Sequence, residues 1–74
     1  MILTREEAYA AANASNAVAD AGASITMSFK RGVQVMRSST GGNLLVIKPQ
    51  VGEKAETERY EDLTHFINIY GLTL

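Results

Sequence analysis

Nine of the chain's ten alanines lie between Ala8 and Ala23, and this concentration decides where a hydrophobic core can form. Alanine buries little apolar area, so the larger apolar side chains must supply the core. Those side chains cluster in residues 25–51 and 60–74. We therefore expect an alanine-rich opening helix followed by a heavier body that carries most of the packing.

A capping box marks the start of the opening helix. Thr4 can accept the Glu7 N–H through its side chain, while the Glu7 carboxylate can reach back to the Thr4 N–H. Gly22 is a natural C-terminal stop. At about 100° per residue, the apolar residues predicted to share one face are Ala10, Ala14, Ala17, Val18 and Ala21. The residues predicted for the opposite, polar face are Glu6, Tyr9, Asn13, Asn16 and Asp20.

Three strands are predicted after this helix, the first of them from period-two alternation of apolar and polar residues. Ile25, Met27 and Phe29 alternate with polar neighbours, which is typical of a half-buried strand. The hairpin partner and a third strand are predicted at residues 33–37 and 44–48. The stretches that separate these elements are predicted to be loops because of their composition.

A second amphipathic helix is predicted to begin near Glu56 or Thr57 and to stop at Gly71. Its predicted core face consists of Tyr60, Leu63, Phe66, Ile67 and Tyr70. We therefore expect a single α+β domain over residues 1–74 with the order α-β-β-β-α. The three strands should form an antiparallel meander, with both helices packed on one face.

Composition excludes several classes of chemistry. The 74 residues include no cysteine, so a disulfide framework, a cysteine nucleophile and a thiolate metal site are all excluded. A site built from His65, the only histidine, and Asp62 would be poor in ligands, so we expect no metal and no cofactor. No catalytic constellation stands out, and we expect a non-enzyme. No apolar run approaches the ~18 residues of a membrane span and no signal-peptide pattern opens the chain, which indicates a cytoplasmic protein without membrane contact.

The formal net charge of −1 conceals an asymmetry. Residues 1–23 carry −2, residues 24–54 carry +4 and residues 55–74 carry −3. The predicted sheet and its loops are therefore basic, and both predicted helices are acidic. One interpretation is a mixed-charge surface that faces only solvent. Another is a nucleic-acid-binding surface formed by the basic residues of the sheet and loops, namely Lys30, Arg31, Arg37 and Lys48.

The third strand carries four consecutive apolar residues, which cannot all face one side. Either Leu45 and Ile47 join the core while Leu44 and Val46 lie on the open face, or the reverse holds. We assign Leu44 and Val46, together with Met36 on the neighbouring strand, to a protein-binding surface. In a three-stranded meander this strand is an edge, so we expect a homodimer or partner contact through it unless the C-terminal tail covers it.

A second candidate protein-binding surface is a stripe on the predicted second helix. Glu58, Asp62, His65 and Ile69 follow one another at i, i+4, i+7 and i+11, away from the predicted core face. The two acidic residues repel each other mildly, and Ile69 has no core role there. The stripe is either a plain solvent face or a contact for a basic partner surface.

The predicted element order is similar to that of the double-stranded RNA-binding domain. That family grips phosphates with lysines at the start of its second helix. The corresponding stretch here reads Glu53-Lys54-Ala55-Glu56-Thr57-Glu58 and is mostly acidic or neutral. RNA binding in that mode is therefore disfavoured.

The sequence favours a small non-enzymatic protein-interaction module that acts as a regulator or inhibitor by surface contact. Compact, cysteine-free proteins with acidic helices are often inhibitors encoded by viruses or mobile elements. Their targets include host nucleic-acid machinery such as CRISPR or nuclease complexes. This step rests on association rather than on any residue. The alternative is nucleic-acid binding through the basic sheet.

Overall fold

The computed structural model describes residues 1–19 and 21–73. A short 3-10 turn, Lys30–Gly32, joins the first two strands. The helices and strands in chain order are α1 Arg5–Ala19, β1 Ile25–Ser28, β2 Gln34–Arg37, β3 Leu44–Gln50, β4 Glu53–Tyr60 and α2 Leu63–Tyr70.

The strands form a four-stranded antiparallel meander in the order β1-β2-β3-β4. The α+β class is confirmed, but the predicted count of three strands is wrong because residues 53–60 form a strand instead of the start of a helix. Gly52, with φ of 72°, provides the left-handed turn that returns the chain alongside β3. The helix α2 begins later, after Asp62, whose side chain accepts the His65 N–H at 2.8 Å.

The fourth strand also changes the interpretation of residues 53–58. These residues belong to β4, so the similarity in element order to the double-stranded RNA-binding domain does not extend to the structure. The lysines with which that family binds phosphates at the start of its second helix therefore have no counterpart among residues 53–58.

The core lies between one face of the sheet, called the inner face below, and the two helices. Phe66 of α2 is fully buried and meets the Tyr60 ring edge-on, with 5.1 Å between the ring centroids. The fully buried side chains of α1 are all small, and the partly buried Tyr9 also packs against the core. The buried core residues of the sheet and helices include Ala8, Ala11, Ala12, Val33, Val35, Leu44, Val46, Tyr60, Phe66 and Tyr70.

The capping box of α1 forms as predicted. The Thr4 N–H donates to the Glu7 carboxylate at 2.9 Å, and the Glu7 N–H donates to the Thr4 hydroxyl at 3.1 Å. The predicted buried face of α1 is wrong, because Ala10 and Ala17 are exposed. Alanine occurs all around this helix, so hydrophobic periodicity cannot select the face. The residues that are buried are Ala8, Ala11, Ala12 and Ser15. Asp20, assigned to the polar face, lies outside the described residues.

The placement of β3 corrects two further predictions. Leu44 and Val46, predicted to lie on the open face, are 1% and 0% exposed and belong to the core. The register explains this reversal, because Val46 lies opposite Val35 and the inner face thereby collects apolar neighbours. β3 is also not an edge, since it pairs with β2 on one side and β4 on the other. Its backbone hydrogen bonds are used on both sides, so a homodimer cannot form by strand pairing along β3.

Candidate functional site

The side of the sheet that faces away from both helices is the candidate functional site, called the open face below. Cross-strand pairing places its residues in two rows, because directly opposite residues share a face. The first row runs from β1 to β4 through Thr26, Met36, Leu45 and Arg59. The second row runs in the same direction through Ser28, Gln34, Ile47 and Thr57.

Three large apolar side chains form the centre of the open face. Met36 lies directly opposite Leu45, and Ile47 follows Leu45 by two residues on the same strand and face. All three are partly exposed, and none belongs to the core or packs against it. Met36 lies on the face of β2 opposite that of the buried Val35. Leu45 and Ile47 take the positions that the sequence analysis assigned to Leu44 and Val46.

Arg59 supplies the only charge among the eight residues of the open face. It lies opposite Leu45, beside a groove of about 370 Å³ that Thr26 and Met36 also line. A second groove, of about 200 Å³, borders Leu45 and Arg59 on the side toward Tyr60. The guanidinium is thus placed to bind a carboxylate while the neighbouring side chains contact an apolar surface.

Glu58 does not lie on a helix and does not face the open side. It lies on the inner face of β4, where its carboxylate accepts the Tyr70 hydroxyl at 2.6 Å and the Tyr60 hydroxyl at 2.9 Å. It also accepts the Ile2 N–H at 3.1 Å. Burial and the hydrogen bond to Glu58 raise the pKa of Tyr70 to about 12. The same two causes hold the pKa of Tyr60 far above its ordinary value. Glu58 therefore joins the N-terminal segment, β4 and α2.

The predicted helical stripe of Glu58, Asp62, His65 and Ile69 is wrong as a single surface. Asp62 caps α2, and His65 accepts the Glu61 N–H at 3.1 Å through its Nδ1 atom. The His65 ring also meets the Tyr60 ring edge-on at 5.5 Å. Ile69 is 51% exposed on α2, away from the open face. Three of these four residues, Glu58, Asp62 and His65, are thus engaged in hydrogen bonds within the protein.

The basic residues proposed for nucleic acid do not all lie at one end of the sheet. Arg31 forms an ion pair with Glu7 at 2.9 Å beside the exposed Lys30. Arg37 lies at the other end of β2, where it donates to the Ala23 carbonyl at 2.7 Å. Lys48 lies opposite Glu56 on the inner face of the sheet.

Within residues 1–19 and 21–73, no three histidine, aspartate or glutamate side chains come together as a metal site. No helix in that part of the chain is long and apolar enough to cross a bilayer.

Comparisons of the chain with protein-family models, curated proteins and solved structures found no match. The candidate site therefore rests on the chemistry of the open face. Sequence reasoning missed Leu45, Ile47 and Arg59 as members of one surface. Alternation along β3 groups Leu45 with Ile47, but the pairing with β2 decides that these two residues, and not Leu44 and Val46, face outward.

Proposed function

We propose that this protein is a small non-enzymatic interaction module that binds a partner protein through the open face of its sheet. The observation that carries the proposal is the cluster of Met36, Leu45 and Ile47 at the centre of a sheet face that neither helix covers. A chain of 74 residues has few large apolar side chains. Three adjacent ones outside the core favour a contact surface.

The chemistry of the open face indicates what the partner presents. The apolar centre fits an apolar patch, and Arg59 fits a carboxylate at the rim of that patch. The surrounding threonines, serine and glutamine can exchange hydrogen bonds with a polar rim. Within this function, the role of a regulator or inhibitor of host nucleic-acid machinery remains a prediction, as does cytoplasmic residence.

The proposal is tested by comparing what the native protein and two variants bind. Leu45→Asp places a charge in the apolar centre, and Asn68→Asp is the matched control because it adds the same charge on the exposed side of α2. Partners captured from host extract by the native protein are identified by mass spectrometry and purified. Their affinity for each variant is then measured by calorimetry.

We expect Leu45→Asp to weaken binding at least about a hundredfold, because a buried, unpaired charge at the centre of an interface is costly. The control should bind as the native protein does. Circular dichroism checks that both variants keep the native fold. Equal binding by Leu45→Asp and the native protein would overturn the proposal.

Nucleic-acid binding through Lys30, Arg31, Arg37 and Lys48 stays a prediction of the charge pattern. Its test is binding to random DNA and RNA at low and moderate salt. Contacts of these side chains with phosphates predict an affinity that falls steeply with salt. No binding at low salt would remove this alternative.

A further inference from the structure

The outer edge of β4 carries an unused row of backbone hydrogen-bonding groups. β4 is the last strand of the sheet, eight residues long, and pairs only with β3. Residues 53–57 are all exposed. No backbone hydrogen bond joins the outer side of β4 to another segment of the described chain. Such an edge is a template for a further strand.

The side chains of β4 are complementary to those of a second β4 strand. We propose that β4 pairs antiparallel with β4 of a second copy of this chain, with Glu56 opposite Glu56 of the copy. In this register Arg59 lies opposite Glu53 of the copy, and Lys54 lies opposite Glu58 of the copy. Twofold symmetry makes each opposite-charge contact twice. The interface shares Arg59 with the open face but leaves Met36, Leu45 and Ile47 uncovered, so it can form whether or not this apolar centre binds a partner.

The geometry of paired strands favours this register over its neighbours. Directly opposite residues share a face, so inner-face residues must lie opposite inner-face residues of the copy. Centring the pair on Thr57 instead would place Glu56 opposite Glu58 and lose both opposite-charge contacts. Centring it on Ala55 would place Lys54 opposite Glu56 of the copy, but it would pair only residues 53–57 instead of 53–59 and leave Arg59 beyond the paired part of the strand.

The single like-charge contact of the proposed register has compensating neighbours. Glu56 meets Glu56 of the copy on the inner face, and Lys48 lies opposite Glu56 on the adjacent strand of each copy. The row across the dimer therefore reads lysine, glutamate, glutamate, lysine. Each carboxylate has one positive neighbour, which reduces the repulsion between the two.

The dimer would also enlarge the open face. Four strands spaced ~4.8 Å apart, each about five residues long at ~3.3 Å per residue, give a planar face of roughly 300 Å². Edge pairing continues the sheet across the twofold axis and places two open faces side by side, at roughly 600 Å².

A single engineered cysteine tests the register. The chain has no cysteine, so any disulfide in Glu56→Cys must join two copies. Opposite Cα atoms in an antiparallel pair lie ~4.5–5.5 Å apart, which is within the range that a disulfide spans. Thr57→Cys is the matched control, since the register places Ala55 of the copy, and not a second Thr57, opposite it. We expect rapid covalent dimerisation of Glu56→Cys on mild oxidation and little of the control. Equal cross-linking of the two variants would overturn the register.

A charge swap tests the contacts without cysteine. Sedimentation equilibrium of the native protein should show a monomer–dimer equilibrium. We expect Arg59→Glu or Glu53→Arg alone to weaken dimerisation at least about tenfold, because each reverses two contacts. The double variant should return to within about threefold of the native value. A native protein that stays monomeric at the highest concentration reached, or a double variant as weak as the single ones, would refute the pairing.

Failure of the dimer and failure of the proposed function are distinguishable. Leu45→Asp lies on the open face and should leave dimerisation unchanged while it abolishes partner binding. Glu53→Arg lies at the outer strand and should weaken dimerisation without placing a charge in the apolar centre. A dimer with no partner would refute only the proposed function, and a monomer that binds a partner would refute only the pairing.

Discussion

Glu58 holds the two ends of the described fold together, and its removal gives a prediction whose size follows from the contacts. Glu58→Ala leaves the Tyr60 and Tyr70 hydroxyls and the Ile2 N–H without their acceptor. A hydrogen bond to a charged group contributes about 1.5–3 kcal/mol. The Glu58 side chain is 20% exposed, so the lower value applies to each tyrosine contact, and water can replace it at the Ile2 N–H.

We therefore expect Glu58→Ala to lower the free energy of unfolding by about 3 kcal/mol. That is a large part of the roughly 4–11 kcal/mol expected for a domain of this length. The measurement is urea denaturation followed by circular dichroism at pH 7. Glu56→Ala is the matched control, because Glu56 lies on the same strand and face but is exposed, and its loss should change stability by less than about 0.5 kcal/mol.

A double-mutant cycle with Tyr70→Phe isolates the 2.6 Å contact. We expect the two substitutions to be non-additive by about 1.5 kcal/mol, because either one alone removes the same hydrogen bond. A loss of less than about 1 kcal/mol for Glu58→Ala, or additive effects in the cycle, would refute the role of Glu58 as the common acceptor.

Three further predictions test other parts of the structure. Leu44→Ala should lower the free energy of unfolding by about 2–5 kcal/mol, because Leu44 is buried, and Leu45→Ala should lower it by less than about 1.5 kcal/mol. Urea denaturation measures both values, and equal values would contradict the assigned faces of β3. Ser15→Ala should raise stability by about 1 kcal/mol, because the buried Ser15 hydroxyl has no hydrogen-bond partner among the described residues; a loss of stability would show that the hydroxyl is satisfied. The pKa of Tyr70 is raised in the folded state, so the contribution of Tyr70 to the free energy of unfolding is complete below pH 10 and is lost as the pH rises from 10 toward about 12. A melting temperature that stays constant over that range would contradict the environment of Tyr70.

Local patterns predicted the elements that depend on neighbouring residues. The capping box at Thr4 and Glu7 needs only four residues, and it formed as expected. The alternation around Ile25 and Met27 likewise gave a strand whose partly buried and exposed residues alternate. These features are decided within a few residues of the chain, and no distant contact changes them.

The errors arose where distant contacts decide the structure. β4 shows no apolar alternation, because its inner face carries Glu56 and Glu58, and the burial of Glu58 depends on Tyr70 twelve residues later. The spacing of Tyr60, Leu63 and Phe66 therefore resembled one helical face although Tyr60 lies on the strand. Which residues of β3 face the core depends on its register with β2, because a shift of one residue exchanges every side chain between core and surface.

The hydrogen bonds at the ends of the chain have a consequence for the order in which the protein folds. The Leu3 N–H donates to the Tyr70 hydroxyl, and the Thr73 N–H donates to the Tyr9 hydroxyl, so each bond joins residues more than 60 positions apart. Closing loops of that length costs entropy before the contacts can offset it. The hairpins between adjacent strands close much shorter loops. We therefore expect the meander to assemble first and α1 to dock last, so that amide hydrogen exchange should be faster in α1 than in β2 and β3.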